Sequence, residues 1–101
     1  MGTLYVTEYQ SMGQVPNSGP QMPLEPPVAE QTVSIGVSST SSSAFNSKTR
    51  FVRLHPDSIC SVELGVSPTA TTSTARMAAN TTEYRSVPEG GSFKVAVISN
   101  S

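Results

Sequence analysis

The stretch Phe51-Val52-Arg53-Leu54-His55-Pro56-Asp57-Ser58-Ile59-Cys60-Ser61-Val62-Glu63-Leu64-Gly65-Val66 decides the fold class. Val52 and Leu54 alternate with Phe51 and Arg53, the period of two expected of a strand with one buried face. The alternation resumes at Ile59: Cys60, Val62, Leu64 and Val66 share one face, Ser61 and Glu63 the other. Between the two runs His55-Pro56-Asp57-Ser58 reads as a turn, because proline suits its second position and Asp and Ser bond local backbone groups. Two strands so closely joined predict an antiparallel hairpin.

The same period recurs on both sides. Toward the N-terminus, Val33, Ile35 and Val37 alternate with Thr32, Ser34 and Gly36, which predicts a strand from about Ala29. Ser38 to Ser43 is a hydroxyl-rich run with the composition of a solvated loop. Residues 2–10 form another strand, with Leu4 and Val6 alternating with Tyr5, Thr7 and Tyr9. Toward the C-terminus come a Thr-rich loop broken by Pro68, a helix-compatible piece (Ala75 to Ala79) too short to stand alone, and a strand from Thr82 to Val87. The turn Pro88-Glu89-Gly90-Gly91 then leads, as a tight hairpin, into Ser92 to Ser99, where Phe93, Val95 and Val97 alternate with Lys94, Ala96 and Ile98.

From Ser11 to Pro27 the pattern stops. Five of the eight prolines lie there (Pro16, Pro20, Pro23, Pro26 and Pro27), which excludes a central strand and favours an extended, polyproline-like path. Six strands, or seven or eight if the arm contributes short pieces, joined by turns with no intervening helix, predict an all-β domain: a small antiparallel β-sandwich, jelly roll or barrel. The expected organisation is an N-terminal strand and Pro-rich arm over 1–27, followed by the sandwich over 28–101.

The totals fit one small domain. The chain has 101 residues, a net charge of −1 and only 13% charged residues, with Ser and Thr in their place. Near-zero charge gives no electrostatic reason to expect nucleic acid, and the six basic residues (Lys48, Arg50, Arg53, Arg76, Arg85 and Lys94) form no run. No apolar stretch approaches the roughly 20 residues of a membrane span. The opening residues lack a basic and an apolar signal region, so no signal peptide is expected, and Val6 stands where a myristoylation motif needs Ser or Thr. A single cysteine, Cys60, leaves no internal disulfide.

Groups for chemistry are sparse. One His and one Cys five residues apart do not make a zinc site, and the seven acidic residues stand singly. His55, Asp57 and Ser58 carry the residue types of a hydrolytic triad, but three neighbours in one turn point in different directions, and Asp57 and Ser58 are expected to cap backbone donors. Cys60 alternates with Val62 and Leu64, so a buried thiol is expected rather than a nucleophile. The glycines of Pro88 to Gly91 lack the Lys and following helix of a phosphate loop, and the sequon Asn80-Thr81-Thr82 is incidental without a secretory signal. The expectation is a non-enzymatic module without cofactor or metal.

The block from Phe51 to Gly65, with Pro68-Thr69-Ala70-Thr71-Thr72, Arg76-Met77-Ala78-Ala79 and Phe93-Lys94-Val95-Ala96-Val97-Ile98, resembles small structural proteins encoded beside the major capsid protein of tailed bacteriophages. The likeness covers about residues 28–100 and the opening Thr3-Leu4-Tyr5-Val6-Thr7-Glu8-Tyr9. It implies a jelly-roll-like sandwich acting as a capsid cement or decoration protein, made in the host cytoplasm and carried on the outer surface of the virion. Its implied partners are the major capsid protein and further copies of itself, as a dimer or trimer. Such a clamp uses extended arms and exposed strand edges. The expected contact residues are therefore Leu4, Tyr5, Val6 and Tyr9 on the first strand, Pro23, Leu24, Pro26 and Pro27 on the arm, and Arg50 and Arg53. Deletion of residues 1–27 is expected to abolish capsid binding while leaving a soluble β-domain. A head-completion or tail-associated protein is the structural alternative. A carbohydrate- or receptor-binding module is the alternative of another class, disfavoured by the lack of Trp and of a calcium-type acidic loop.

Overall fold

The computed structural model describes residues 2–10, 12–14, 21–23, 26–90 and 92–100. Its elements are ten strands: β1 (Gly2–Tyr9), β2 (Met12–Gln14), β3 (Gln21–Pro23), β4 (Ala29–Ile35), β5 (Thr40–Ser41), β6 (Phe51–Pro56), β7 (Cys60–Gly65), β8 (Ala75–Met77), β9 (Glu83–Ser86) and β10 (Lys94–Ser99). Eight of them form two antiparallel four-stranded sheets, ordered β4-β1-β6-β9 and β5-β10-β7-β8. The protein is a small β-sandwich, as the alternation predicts.

The core is where the period of two puts it. Leu4, Val6, Val33, Ile35, Val52 and Leu54 of the first sheet meet Cys60, Val62, Met77, Val95 and Val97 of the second, with Phe45 and Val87 closing the ends. Val37 and Val66 continue their alternations on paper but lie past the strand ends and are exposed, at 77% and 58%. The alternation carries no information about where a strand stops.

The pairing differs from the sequence expectation in three places. First, β6 and β7 are not a hairpin. β6 pairs with β1 and β9, and β7 with β10 and β8, so the chain crosses between sheets at Asp57–Ile59. Two strands that each bury one face give the same alternation in a hairpin and in an arch across the sandwich. What fixes the arch is Asp57: its Oδ1 accepts from Thr3 N–H (2.6 Å) and its own N–H donates to Thr3 O (3.1 Å), tying the turn to β1. Gly2 permits that approach, since a Cβ there would collide with Asp57 Oδ1 and Ser58 Oγ. The connection after β9 likewise changes sheets rather than forming a hairpin with β10, and Gly90 within it has a φ of 126° that side chains resist.

Second, part of the serine run is structure. Thr40 and Ser41 pair with Val97 and Ala96, and buried Ser42 binds Val95 twice, its N–H donating to Val95 O (2.8 Å) and its Oγ accepting from Val95 N–H (3.0 Å). The helix-compatible piece is likewise an edge strand, β8, which buries Met77.

Third, β1 belongs to the sandwich rather than to an arm outside it. β1 lies inside the first sheet, between β4 and β6, with Leu4 and Val6 at 0% and 1% exposure. Within the Pro-rich stretch β2 and β3 pair as a two-stranded ribbon, with Met12 opposite Pro23 in the register. Pro23 stands at the end of that ladder, where its missing N–H breaks no interior bond.

Candidate binding face

The outer faces of the two sheets differ. That of the second sheet is covered by the chain's own loop. Pro68 and Ala70 are buried, Thr69 N–H donates to Glu63 Oε2 (3.2 Å), and Ala70 N–H donates to Ser39 Oγ (2.9 Å). Asn100 Nδ2 bridges Ser61 Oγ (2.6 Å) and Thr72 O (3.1 Å). Beneath this strap Ser61 and Ala96 are fully buried although they point away from the core.

Among the described residues the first sheet has no such cover over most of its width. Its outward positions line up in rows across the strands. Thr32, Tyr5 and His55 form one row, and Glu30, Thr7, Arg53 and Tyr84 the next. Tyr9, Phe51 and Ser86 form the third. Four of the chain's six aromatic residues thus stand on one face. Tyr9 stacks on Phe51 with ring centres 5.2 Å apart, and Tyr84 meets Phe51 at 6.3 Å. Tyr5 and Tyr84 are about half exposed, at 47% and 51%, and a shallow depression of about 190 Å³ is lined by Phe51, Tyr84, Arg85 and Ser86. Exposed aromatics gathered beside an arginine are the composition of a contact surface rather than of a solvated sheet face.

The charges on and around this face are unevenly satisfied. At its border Arg50 pairs with Glu89 at 3.1 Å, and Arg85 pairs at 2.6 Å with Glu83, both of the opposite parity to Tyr84 on β9. Arg53, between Thr7 and Tyr84, has no ion-pair partner among the described residues, and neither has Glu30. His55 Nδ1 lies 2.9 Å from Thr82 Oγ1.

Of the expected contact residues, Tyr5 and Arg53 belong to this face. Leu4 and Val6 are core, because they occupy the opposite parity of the same strand, and Tyr9 is buried at the end of the third row. Arg50 and Pro26 are exposed and Pro27 half-buried. Pro23 belongs to β3, and Leu24 lies outside the described residues. Phe51, Tyr84 and Glu30 complete the face. The sequence signal for them was weak, since the pairings that assemble the rows join residues far apart in the chain.

No family model, curated protein or solved structure matches the chain.

Two further groups have chemistry of interest. Ser58 Oγ contacts Asp57 Oδ1 at 3.5 Å while His55 turns to Thr82, so the three residues of the triad type form no relay. Cys60 is fully buried, and that burial, with the Glu83 carboxylate adding to it, pushes its thiol up to about 11. At neutral pH it is a protonated core side chain and not a thiolate. Among the described residues no group of three or more His, Cys, Asp or Glu side chains is placed to hold a metal ion.

Among the described residues Glu8 is the one buried carboxylic acid, at 2% exposure. Its Oε1 accepts from Asn46 N–H (2.7 Å) and Thr49 Oγ1 (2.8 Å), and its Oε2 from Gln31 Nε2 (3.1 Å). Gln31 in turn clasps the backbone of Ser43, accepting from its N–H (3.0 Å) and donating to its O (3.2 Å). One carboxyl group thereby anchors the connection from β5 to β6. Its acceptors are occupied by the chain itself, which makes it a structural group rather than a ligand site.

Proposed function

We propose that the chain is a structural component of a tailed-bacteriophage particle, a cement or decoration protein that sits on the outer capsid surface and braces neighbouring subunits of the major capsid protein. The observation that carries the reading is the contrast between the two sheets. One outer face is covered by the 67–74 strap, and the other presents Tyr5, Phe51, Tyr84 and an Arg53 that has no ion-pair partner among the described residues. A small domain that leaves aromatic area uncovered on one side only is built to bind something there.

The kind of assembly comes from the sequence resemblance, and the topology supports it. The chain passes between the sheets at β4–β5, β5–β6, β6–β7, β8–β9 and β9–β10, which is the manner of a jelly roll. β1 supplies the strand between β4 and β6. Jelly rolls serve viral shells and lectins alike, so topology supports the reading without deciding it. In this reading the shell contact is made at the β9 side of the face, around Tyr84 and the depression beside Phe51.

The test is copy number, measured by quantitative mass spectrometry of purified particles against the major capsid protein. A cement protein is expected at one copy per capsid subunit or a simple fraction of that. A few copies per hundred subunits would move the protein to the neck or tail, and its absence from particles would remove the reading.

A further inference from the structure

We infer that two copies of this chain pair through the outer face of the first sheet, about a two-fold axis running along β1. The row Glu30–Thr7–Arg53 carries the inference. Glu30 on β4 and Arg53 on β6 flank Thr7 on β1, one strand to either side. Strand spacing puts them roughly 10 Å apart across Thr7. They form no bridge within the chain, and both lack another partner among the described residues.

A second copy laid on this face can be related by a two-fold axis along the strands or across them. An axis along β1 keeps each residue at its level and exchanges left for right, so β4 of each copy lies over β6 of the other. Glu30 then meets Arg53 of the partner subunit, and the contact is made twice by symmetry. Thr7 and Tyr5 meet their own counterparts on the axis, and His55 faces Thr32 of the partner subunit. An axis across the strands at the level of this row sets β6 on β6, with Arg53 against Arg53 and Glu30 against Glu30. The charge pattern selects the first arrangement and penalises the second.

The size of the face sets the strength. Three overlapping strands and about seven residues of length cover roughly 330 Å² per copy, or about 660 Å² in all, below the usual size of a stable interface. The dimer is accordingly weak in free solution. Because β1 has two strands on one side and one on the other, β9 extends past the edge of the partner's sheet. Tyr84 therefore stays at the rim of each copy. The pairing needs no capsid and is a property of the free protein.

The experiment is analytical ultracentrifugation of the full chain at low salt, over concentrations reaching about a millimolar, with circular dichroism to confirm the fold of each variant. The wild type is expected to show a concentration-dependent dimer. Arg53→Glu and Glu30→Arg, each placing like charges together twice per dimer, are expected to raise the dissociation constant by about tenfold or more. The double variant carrying both changes is expected to return to within about threefold of wild type. A wild-type chain that stays monomeric throughout would overturn the inference. So would single variants that dimerise like wild type, or a double variant that remains as weak as the singles.

Discussion

A chain lacking residues 1–10 is expected to lose its cooperative thermal transition and to be recovered largely as insoluble or unfolded protein. β1 is hydrogen-bonded on both sides, to β4 and to β6, so its removal cuts the first sheet in two. The same deletion strips Leu4 and Val6 from the core, where each contributes roughly 1.5–3 kcal/mol of burial. It also removes Glu8, which orders the 43–50 connection. Against a total stability of roughly 5–15 kcal/mol for a domain of this kind, these losses leave little. The check is circular dichroism and a melting curve on the truncated chain beside the full one. A truncated protein with a native strand signal and a cooperative transition would show that β1 is an appendage after all. Addition of a synthetic peptide covering residues 2–10 is expected to restore part of the transition, because a free strand can be accepted between two open edges.

The largest effect of a single substitution is expected at Glu8. Glu8→Ala leaves three donors, Asn46 N–H, Thr49 Oγ1 and Gln31 Nε2, without the acceptor they share. A buried donor left unsatisfied costs about 1–3 kcal/mol, and water entering the vacated space recovers some of that. The expected loss is about 3–4 kcal/mol, or a fall in Tm of roughly 15–25 °C for a domain this small. Glu8→Gln is the informative companion. Its remaining oxygen still serves Asn46 and Thr49, but its amide faces the amide of Gln31, donor against donor. Gln31 is held in place by its two bonds to Ser43, so relieving the clash breaks the clasp. An intermediate loss of about 1–2 kcal/mol is expected. Urea denaturation ranks the three proteins, and equal stability of wild type and Glu8→Ala would contradict the structural role.

The faces of the strands were legible in the sequence, and their neighbours were not. Leu4 with Val6, Val33 with Ile35, Val52 with Leu54 and Val95 with Val97 are buried as their alternation requires. A period of two says which side of a strand meets the core. It does not say whether the next strand continues the same sheet or crosses to the other. His55 to Ser58 and Pro88 to Gly91 therefore read as hairpin turns, while tertiary bonds such as that from Asp57 to Thr3 make them arches.

The binding face was half legible for the same reason. Tyr5 and Arg53 are readable as outward positions from their own strands. That Tyr84 stands beside Arg53, and Glu30 two strands away across Thr7, follows only from the pairing of distant segments. Leu4 and Val6 were drawn into the expected contact set by their place near the chain start. Parity along β1 assigns them to the core instead. Parity with Leu4 and Val6 puts Glu8 on the inward side of β1, but the donors that satisfy it come from residues 31, 46 and 49 and are invisible from the strand itself.

Binding to the shell is the central claim, and co-sedimentation measures it most directly. Purified chain is mixed with particles that lack it, alongside Tyr84→Ala, whose exposed edge position should leave the fold intact. The account predicts saturable pelleting of the wild type with particles and a loss of affinity of about thirtyfold for Tyr84→Ala, the effect of removing a central aromatic contact. Wild-type chain that stays in the supernatant, or a Tyr84→Ala protein that binds as tightly as wild type, would contradict it.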